Sequence, residues 1–430
     1  MDAVKLASLY FFGTEEFNSS NCIIATVTFK RKMNPKELFP SYRALVKENP
    51  LLQAKMVEQP KKDTFTWERF SKEELEALLD FEKIQLSRYF IEEEVLERYD
   101  STNSRLVFHI FPINENTMIF SMNHAVASGL GLIFWIKKWL EYYSGETDTK
   151  LEGIPNTPRF RDKVLRMRKR VSAFLWLPLF IPGFVLRAYG KAENETVDLS
   201  YGKKPEKGGG YVKKSYCFSA HETREILHQS RLNKMSFGEY LCYQMTHGLL
   251  EYAPEKQRVF VSMPMDTQSL RPYSPLTMHG NYIASLPAQF FRGGDLEKQV
   301  KSTFKWFKRG IPYGLSFFFA SFSNSYQKYK KQCLELCKKT MPERAPLWNF
   351  TITLSNLGII SYPIIEKWVE SAYLSIRNQS LFLSSATISG RLMMEICISK
   401  NLYDPKEVFS LFDRILSVEH LLNSGHEECA

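Results

Sequence analysis

The feature that most restricts the fold is a rhythm of short strand and helix patterns that runs through both halves of the chain and fails once, between Pro155 and Gly210. In the first half, Cys22 to Phe29 is β-branched and apolar, the composition of a buried strand. Lys36 to Lys47 carries Leu38, Tyr42 and Leu45 at helical spacing and stops at Asn49-Pro50. Arg105 to Phe111 and Thr117 to Met122 predict two short strands across the polar run Asn114-Glu115-Asn116. Ser128 to Tyr143 then predicts a helix with Leu130, Ile133, Ile136 and Leu140 on one face.

After Gly210 the rhythm restarts. A strand from Tyr211 to Phe218 precedes helical patterns at His221 to Ser230 and Phe237 to Tyr252. Strand patterns follow at Arg258 to Met263, Tyr282 to Phe290, Phe350 to Leu354, Ala372 to Ile376, Leu381 to Ser385 and Leu392 to Ile398, and a helix from Pro405 to Leu422 ends the series. Such alternation in both halves predicts an α/β protein of two similar mixed α/β lobes. The lobes are expected at 1–190 and 211–430, joined by a flexible linker over 191–210. Strand order is not legible in this pattern.

The chain has 430 residues, 44% of them hydrophobic, enough to fill two cores. No repeat of 20 to 50 residues points to a solenoid or propeller. Seven cysteines are scattered, and Cys333 with Cys337 lacks the second Cys/His pair of a zinc site. They read as reduced thiols of a cytosolic protein. The N-terminal segment MDAVKLASLYFFGTEEF lacks a basic region followed by an apolar core, so a cytoplasmic setting is expected and the sequon at Asn194 carries little weight.

The most informative segment is Ile119 to Gly129, IFSMNHAVASG. An apolar strand ends at His124, three small residues follow, and Ser128-Gly129 opens a helix with Ser128 as its N-cap. Histidine has the unperturbed pKa suited to proton transfer near neutrality. A histidine at a strand end is nevertheless more often structural than catalytic.

Other segments change that balance. IFSMNHAVASG resembles the His-His-x-x-x-Asp-Gly motif of the superfamily that contains chloramphenicol acetyltransferase, the condensation domains of peptide synthetases and microbial alcohol acyltransferases. His124 falls on the second, catalytic histidine, Asn123 on the first and Gly129 on the glycine. Arg258 to Tyr282, RVFVSMPMDTQSLRPYSPLTMHGNY, is similar to the family's strand, Leu-Arg-Pro turn and Gly-Asn segment, with Arg271 and Asn281 at the matching positions. Ser355-Asn356-Leu357-Gly358 resembles the Ser-Asn-Leu-Gly of a late strand, and Asn49-Pro50-Leu51-Leu52 the His-Pro-x-Leu after the first helix. All four occur in family order.

The chain departs from that pattern at the aspartate, which is Ser128 here; the plant-type Asp-Phe-Gly-Trp-Gly motif is also absent. In the family the aspartate forms a buried salt bridge with an arginine, and the position of that arginine is taken here by Gln53. Loss of one partner of a buried pair costs about 3–5 kcal/mol, whereas loss of both is near neutral. A Gln53–Ser128 hydrogen bond is the expected remnant.

The resemblance implies a tunnel between the lobes, entered by an acyl thioester and an acceptor from opposite faces. It implies that His124 takes the proton of an alcohol or amine attacking the thioester, with Ser355, Asn356 and the backbone N–H of Gly129 as candidates to position the oxyanion. Asn123, Ser128, Gln53, Arg271 and Asn281 are expected to hold the motif loops, and His279 to lie at the surface. No metal or bound cofactor is needed; a chain without a carrier domain favours acyl-coenzyme A as co-substrate.

The break in the rhythm carries its own information. Nine Lys/Arg against one acid, Asp162, lie between Arg159 and Lys191, around the apolar run Val171 to Leu186. That run is shorter than a span of about 20 apolar residues and is interrupted by Pro178, Pro182 and Gly183. It suits peripheral contact with an anionic membrane through 159–190, with the apolar patch Leu315 to Phe322 as a second element, against the alternative of a crossover buried between lobes. A nucleic-acid partner is not expected, because no recognition motif accompanies the charge. The reading is an acyl-coenzyme A-dependent O- or N-acyltransferase for a lipophilic acceptor. Its alternatives are a catalytically silent relative that binds a lipid or protein, and a condensation enzyme using carrier-bound partners.

Overall fold

The computed structural model describes residues 14–15, 21–59, 61, 64–98, 104–146, 171–183, 185, 195–201, 204, 206, 210–266, 283–315, 326–340, 343, 350–377 and 380–423. Its strands are β1 (Cys22–Phe29), β2 (Ala54–Gln59), β3 (Thr64–Arg69), β4 (Phe108–Pro112), β5 (Thr117–Asn123), β6 (Tyr211–Cys217), β7 (Arg258–Asp266), β8 (Ile283–Phe291), β9 (Ile352–Ile360), β10 (Val369–Ile376), β11 (Phe382–Ile388) and β12 (Arg391–Ser399). The named helices are α1 (Pro35–Glu48), α2 (Lys72–Leu86), α3 (Glu92–Glu97), α4 (Gly129–Ser144), α5 (Ala220–Leu232), α6 (Phe237–Tyr252), α7 (Leu296–Lys308), α8 (Tyr326–Lys338), α9 (Pro363–Trp368), α10 (Pro405–Ile415) and α11 (Val418–Asn423). A further helix covers 171–183.

Several helix starts are written in the sequence. Ser71 with Glu74, Ser219 with Glu222 and Ser236 with Glu239 form reciprocal capping boxes at α2, α5 and α6. The helix predicted from Pro405 to Leu422 is two helices, broken after Ile415, where Leu416 caps α10.

Two sheets carry the α/β architecture. The first is antiparallel, in the order β10-β1-β5-β4; the second is mixed, in the order β6-β12-β11-β9-β7-β8, with β9 parallel to both β11 and β7. A division of the chain at the 191–210 linker does not follow the sheets, because β10 pairs with β1 from Ile23↔Ile376 to Phe29↔Val369. The second half of the chain therefore completes the first lobe.

Strand alternation explains how the lobes meet. In β1, Ile23, Ala25, Val27 and Phe29 enter the first core with Phe120, Trp135 and Trp139. Ile24 points the other way, into a small cluster with Val95, Tyr211 and Cys397. Thr26, on that same face, hydrogen-bonds Glu92 of α3 at 3.3 Å and accepts from Lys213 of β6. In β12, Leu392, Met394, Ile396 and Ile398 fill the second core, while Met393 joins the first. Glu395 is fully buried between them, ion-paired with Lys213 at 3.2 Å and accepting from Ser215 at 2.7 Å. The seam between the lobes thus holds a buried polar cluster around Lys213 and Glu395, flanked by apolar contacts through Ile24, Tyr211 and Met393.

Candidate active site

The histidine loop is shaped by short polar bonds where β5 ends. Cys22↔Asn123 is the last pair of β1 with β5, and the next amide, His124 N–H, donates to Asn21 O at 3.0 Å. Asn21 holds φ 45°, a left-handed conformation that asparagine tolerates better than most residues. Asn123 accepts from Ala125 N–H at 2.9 Å and donates to Glu15 at 2.8 Å. Val126 N–H donates to Asn123 O at 3.0 Å, which closes the turn. Ser128 then caps α4, accepting from Gly131 N–H at 3.3 Å. Asn123 therefore organises the loop, and Ser128 starts the helix.

The turn sets the protonation of the ring. His124 Nδ1 lies 2.8 Å from Ala127 O. A carbonyl oxygen can only accept, so Nδ1 carries the hydrogen and Nε2 keeps its lone pair. The residue is 4% exposed, and burial pushes its pKa down to about 4, against the opposing pull of the backbone hydrogen bonds. The imidazole is neutral at physiological pH, the form a general base requires.

Gly129 ties this loop to the second lobe. A Cβ on it would lie 3.1 Å from Leu357 Cδ2 and 3.9 Å from Leu374 Cδ2. Leu357 reaches it because β9 bulges there: Ser385 pairs with Asn356 and Thr387 with Ile359, leaving Leu357 and Gly358 opposite one residue of β11. Gly358 holds φ +73°, which a side chain would strain.

Ser355 and Asn356 do not act as a pair. Ser355 is in register with Ser384, whose hydroxyl donates to Leu374 O of β10, so it faces the first lobe. Asn356 points to the other face, as adjacent strand residues must. Its Oδ1 accepts from Gly358 N–H at 3.0 Å and Ser385 Oγ at 3.2 Å, and its Nδ2 lies beside Gly238 of α6. Asn356, itself exposed, thus supports the bulge from the side of the second lobe.

Gln53 makes a different contact from the expected one. Its amide donates to Val46 O at 2.9 Å and to Lys47 O at 2.8 Å, capping the C-terminal carbonyls of α1, so the amide is not spent on Ser128. Arg271, His279 and Asn281 lie outside the described residues. Glu15 and Asn21 support the loop but carry no periodic or motif signal in the sequence; only their closeness to the start of β1 could have marked them.

No protein-family model matches the chain, and no curated protein matches it in sequence. Solved structures do. The TRI3 trichothecene 15-O-acetyltransferase from Fusarium sporotrichioides aligns over 97% of this chain and 94% of its own, with a TM-score of 0.65 at 10% identity. The epimerization domain from the third module of tyrocidine synthetase B aligns over 96% and 94%, with a TM-score of 0.55 at 14% identity. A variant of the starter condensation domain of rhizomide synthetase RzmA, in complex with C8-CoA, aligns over 95% and 91%, with a TM-score of 0.57 at 10% identity. The chain therefore has the fold of the chloramphenicol-acetyltransferase-like condensation enzymes and acyltransferases.

Proposed function

We propose that the protein is an acyltransferase that moves an acyl group from acyl-coenzyme A to the hydroxyl or amine of a lipophilic acceptor, with His124 as general base. The observation that carries this reading is the ring itself: a neutral imidazole with its hydrogen fixed on Nδ1 by Ala127, at the end of a strand in an acyltransferase-type fold. Nε2 takes the proton of the acceptor as its oxygen or nitrogen attacks the thioester carbonyl. The C–S bond then breaks, and the imidazolium returns the proton to the departing thiolate. Ser355, on the face toward the first lobe, and the N–H of Gly129 at the start of α4 are the proposed donors to the oxyanion. Donor and acceptor enter a tunnel between the lobes. A C8-CoA complex in a structure of the same fold supports a coenzyme A thioester as donor.

A silent relative that only binds its ligand is favoured by one observation, the deep burial of His124. The two readings separate in one assay: thiol release from acetyl- and octanoyl-coenzyme A with a panel of lipophilic alcohols and amines. Acceptor-dependent release that falls about 10²–10⁴-fold in His124→Ala, with the fold intact by circular dichroism, supports catalysis. Binding of acyl-coenzyme A without release, or release unchanged in His124→Ala, overturns it.

A further inference from the structure

The helix over 171–183 turns one face to the protein and the opposite face to solvent. Ala173 and Leu177 are buried, and Trp176 and Phe180 pack against Trp306 of α7 at 5.9 and 5.7 Å between ring centroids. The outer face consists of Val171, Phe174, Leu175, Pro178, Leu179 and Pro182, all exposed and all apolar at i, i+3, i+4, i+7, i+8 and i+11. Leu175 and Leu179 are 68% and 65% exposed. A helix of a globular protein ordinarily presents polar residues there.

The neighbouring helix supplies charge. Lys298, Lys301, Lys305 and Lys308 stand at i, i+3, i+7 and i+10 along one face of α7. Lys301 pairs with Glu297, and Lys308 with Glu239. Among the described residues Lys298 and Lys305 have no acidic partner. Arg309 stacks 4.0 Å from the Trp176 ring centre and 4.9 Å from that of Trp306, so a cation sits where the two helices meet. In sequence, the apolar helix is further preceded by Arg166, Arg168, Lys169 and Arg170.

We infer that the outer face of the 171–183 helix and the cationic face of α7 together dock the protein on an anionic lipid bilayer. The thirteen described residues, at 1.5 Å each, make about 20 Å of helix, against a hydrocarbon core of about 30 Å. Among the described residues no helix is long and apolar enough to cross a membrane. The helix therefore lies along the interface, with the leucines in the acyl region and the lysines and Arg309 at headgroup level. Lysine charge beside an apolar stripe fits a surface that is itself both apolar and anionic, which a second copy of this cationic face is not.

The inference is independent of the catalytic reading and is tested without turnover, by flotation of the full chain with phosphatidylcholine vesicles, alone or containing phosphatidylserine. The wild type and His124→Ala should float with the anionic vesicles, less with the neutral ones, and less as salt rises. Leu175→Glu/Leu179→Glu and, separately, Lys298→Glu/Lys305→Glu should lower the bound fraction at least about tenfold. Ile84→Glu, at an exposed apolar residue on α2, should not. Absence of the wild type from anionic vesicles, or flotation of the leucine variant unchanged, overturns the inference. So does a wild-type dimer that the leucine variant converts to monomer without any flotation, since a second copy then occupies the face.

Discussion

Leu357 packs onto the bare Cα of Gly129, so that a bulge in one sheet closes against the helix that follows the histidine of the other; a Cβ at 129 would stand 3.1 Å from Leu357 Cδ2. The neighbour is a side chain, and a few tenths of an ångström of movement would accommodate alanine. Valine adds two methyl groups that the contact cannot absorb. Gly129→Val is expected to destabilise the protein by about 1–3 kcal/mol. Leu357→Ala in the same chain should recover part of that loss, because the two positions share one contact. Urea denaturation of both single variants and the double variant measures the coupling; strict additivity would exclude the contact.

Gly358 tests the bulge that delivers Leu357. At φ +73° it occupies the left-handed region, and Asn356 Oδ1 accepts its N–H. Gly358→Ala should cost about 1–2 kcal/mol through backbone strain alone, since nothing lies within 4 Å of its Cβ position. An unchanged denaturation midpoint would show that the bulge relaxes.

These contacts mark the division between what is legible in the sequence and what is not. The strand into His124, the Ser128 cap and the helix behind it are local, and their side-chain pattern states them directly. The hairpin β2-β3 and the helix α2 are local too, and Ser71 with Glu74 was an available start signal for the latter. The place of β10 is not local. Its partner β1 is remote in sequence, pairing Phe29 with Val369 and Ile23 with Ile376, and Val369 to Ile376 reads like any other strand until the pairing is known. Ser355 and Asn356 look like one motif, yet strand alternation sends them to different lobes. Gln53 resembles the position of a salt-bridge partner, but nearby α1 carbonyls capture its amide. Nothing in the run Thr14 to Asn21 announces that Glu15 meets Asn123, because the two residues lie far apart in sequence.

The buried ion pair between the lobes gives a prediction of the opposite kind, in which removing one group is worse than removing two. Burial works against the charge on Lys213, but Glu395 and Glu92 outweigh it and raise its pKa. Lys213→Met leaves Glu395 fully buried, with Ser215 Oγ still donating to it, and should cost about 3–5 kcal/mol. Lys213→Met/Glu395→Leu should be markedly more stable than Lys213→Met alone. A double variant no more stable than the single would mean that the seam needs the carboxylate for another contact.

His124 supplies a pH dependence whose sign follows from its burial. In the unfolded chain an imidazole binds its proton near 6.5; in the native protein burial moves that to about 4. Above 6.5 both states are neutral and the group contributes no slope. Between 6.5 and about 4 the unfolded chain holds the extra proton, so stability falls as the solution is acidified, and below that range the loss is complete. The full difference corresponds to about 3 kcal/mol at 1.36 kcal/mol per pH unit. In His124→Gln, which carries no titrating proton, the fall in unfolding free energy from pH 7 to pH 5 should be shallower than in the wild type, other groups being common to both. The same displacement bears on turnover: the base form persists through pH 5, so the acid limb of kcat/KM is expected well below 6.5. An acid limb at 6.5, together with parallel stability curves for wild type and His124→Gln, would mean that the ring is hydrated in solution and not held in the buried geometry that fixes its tautomer.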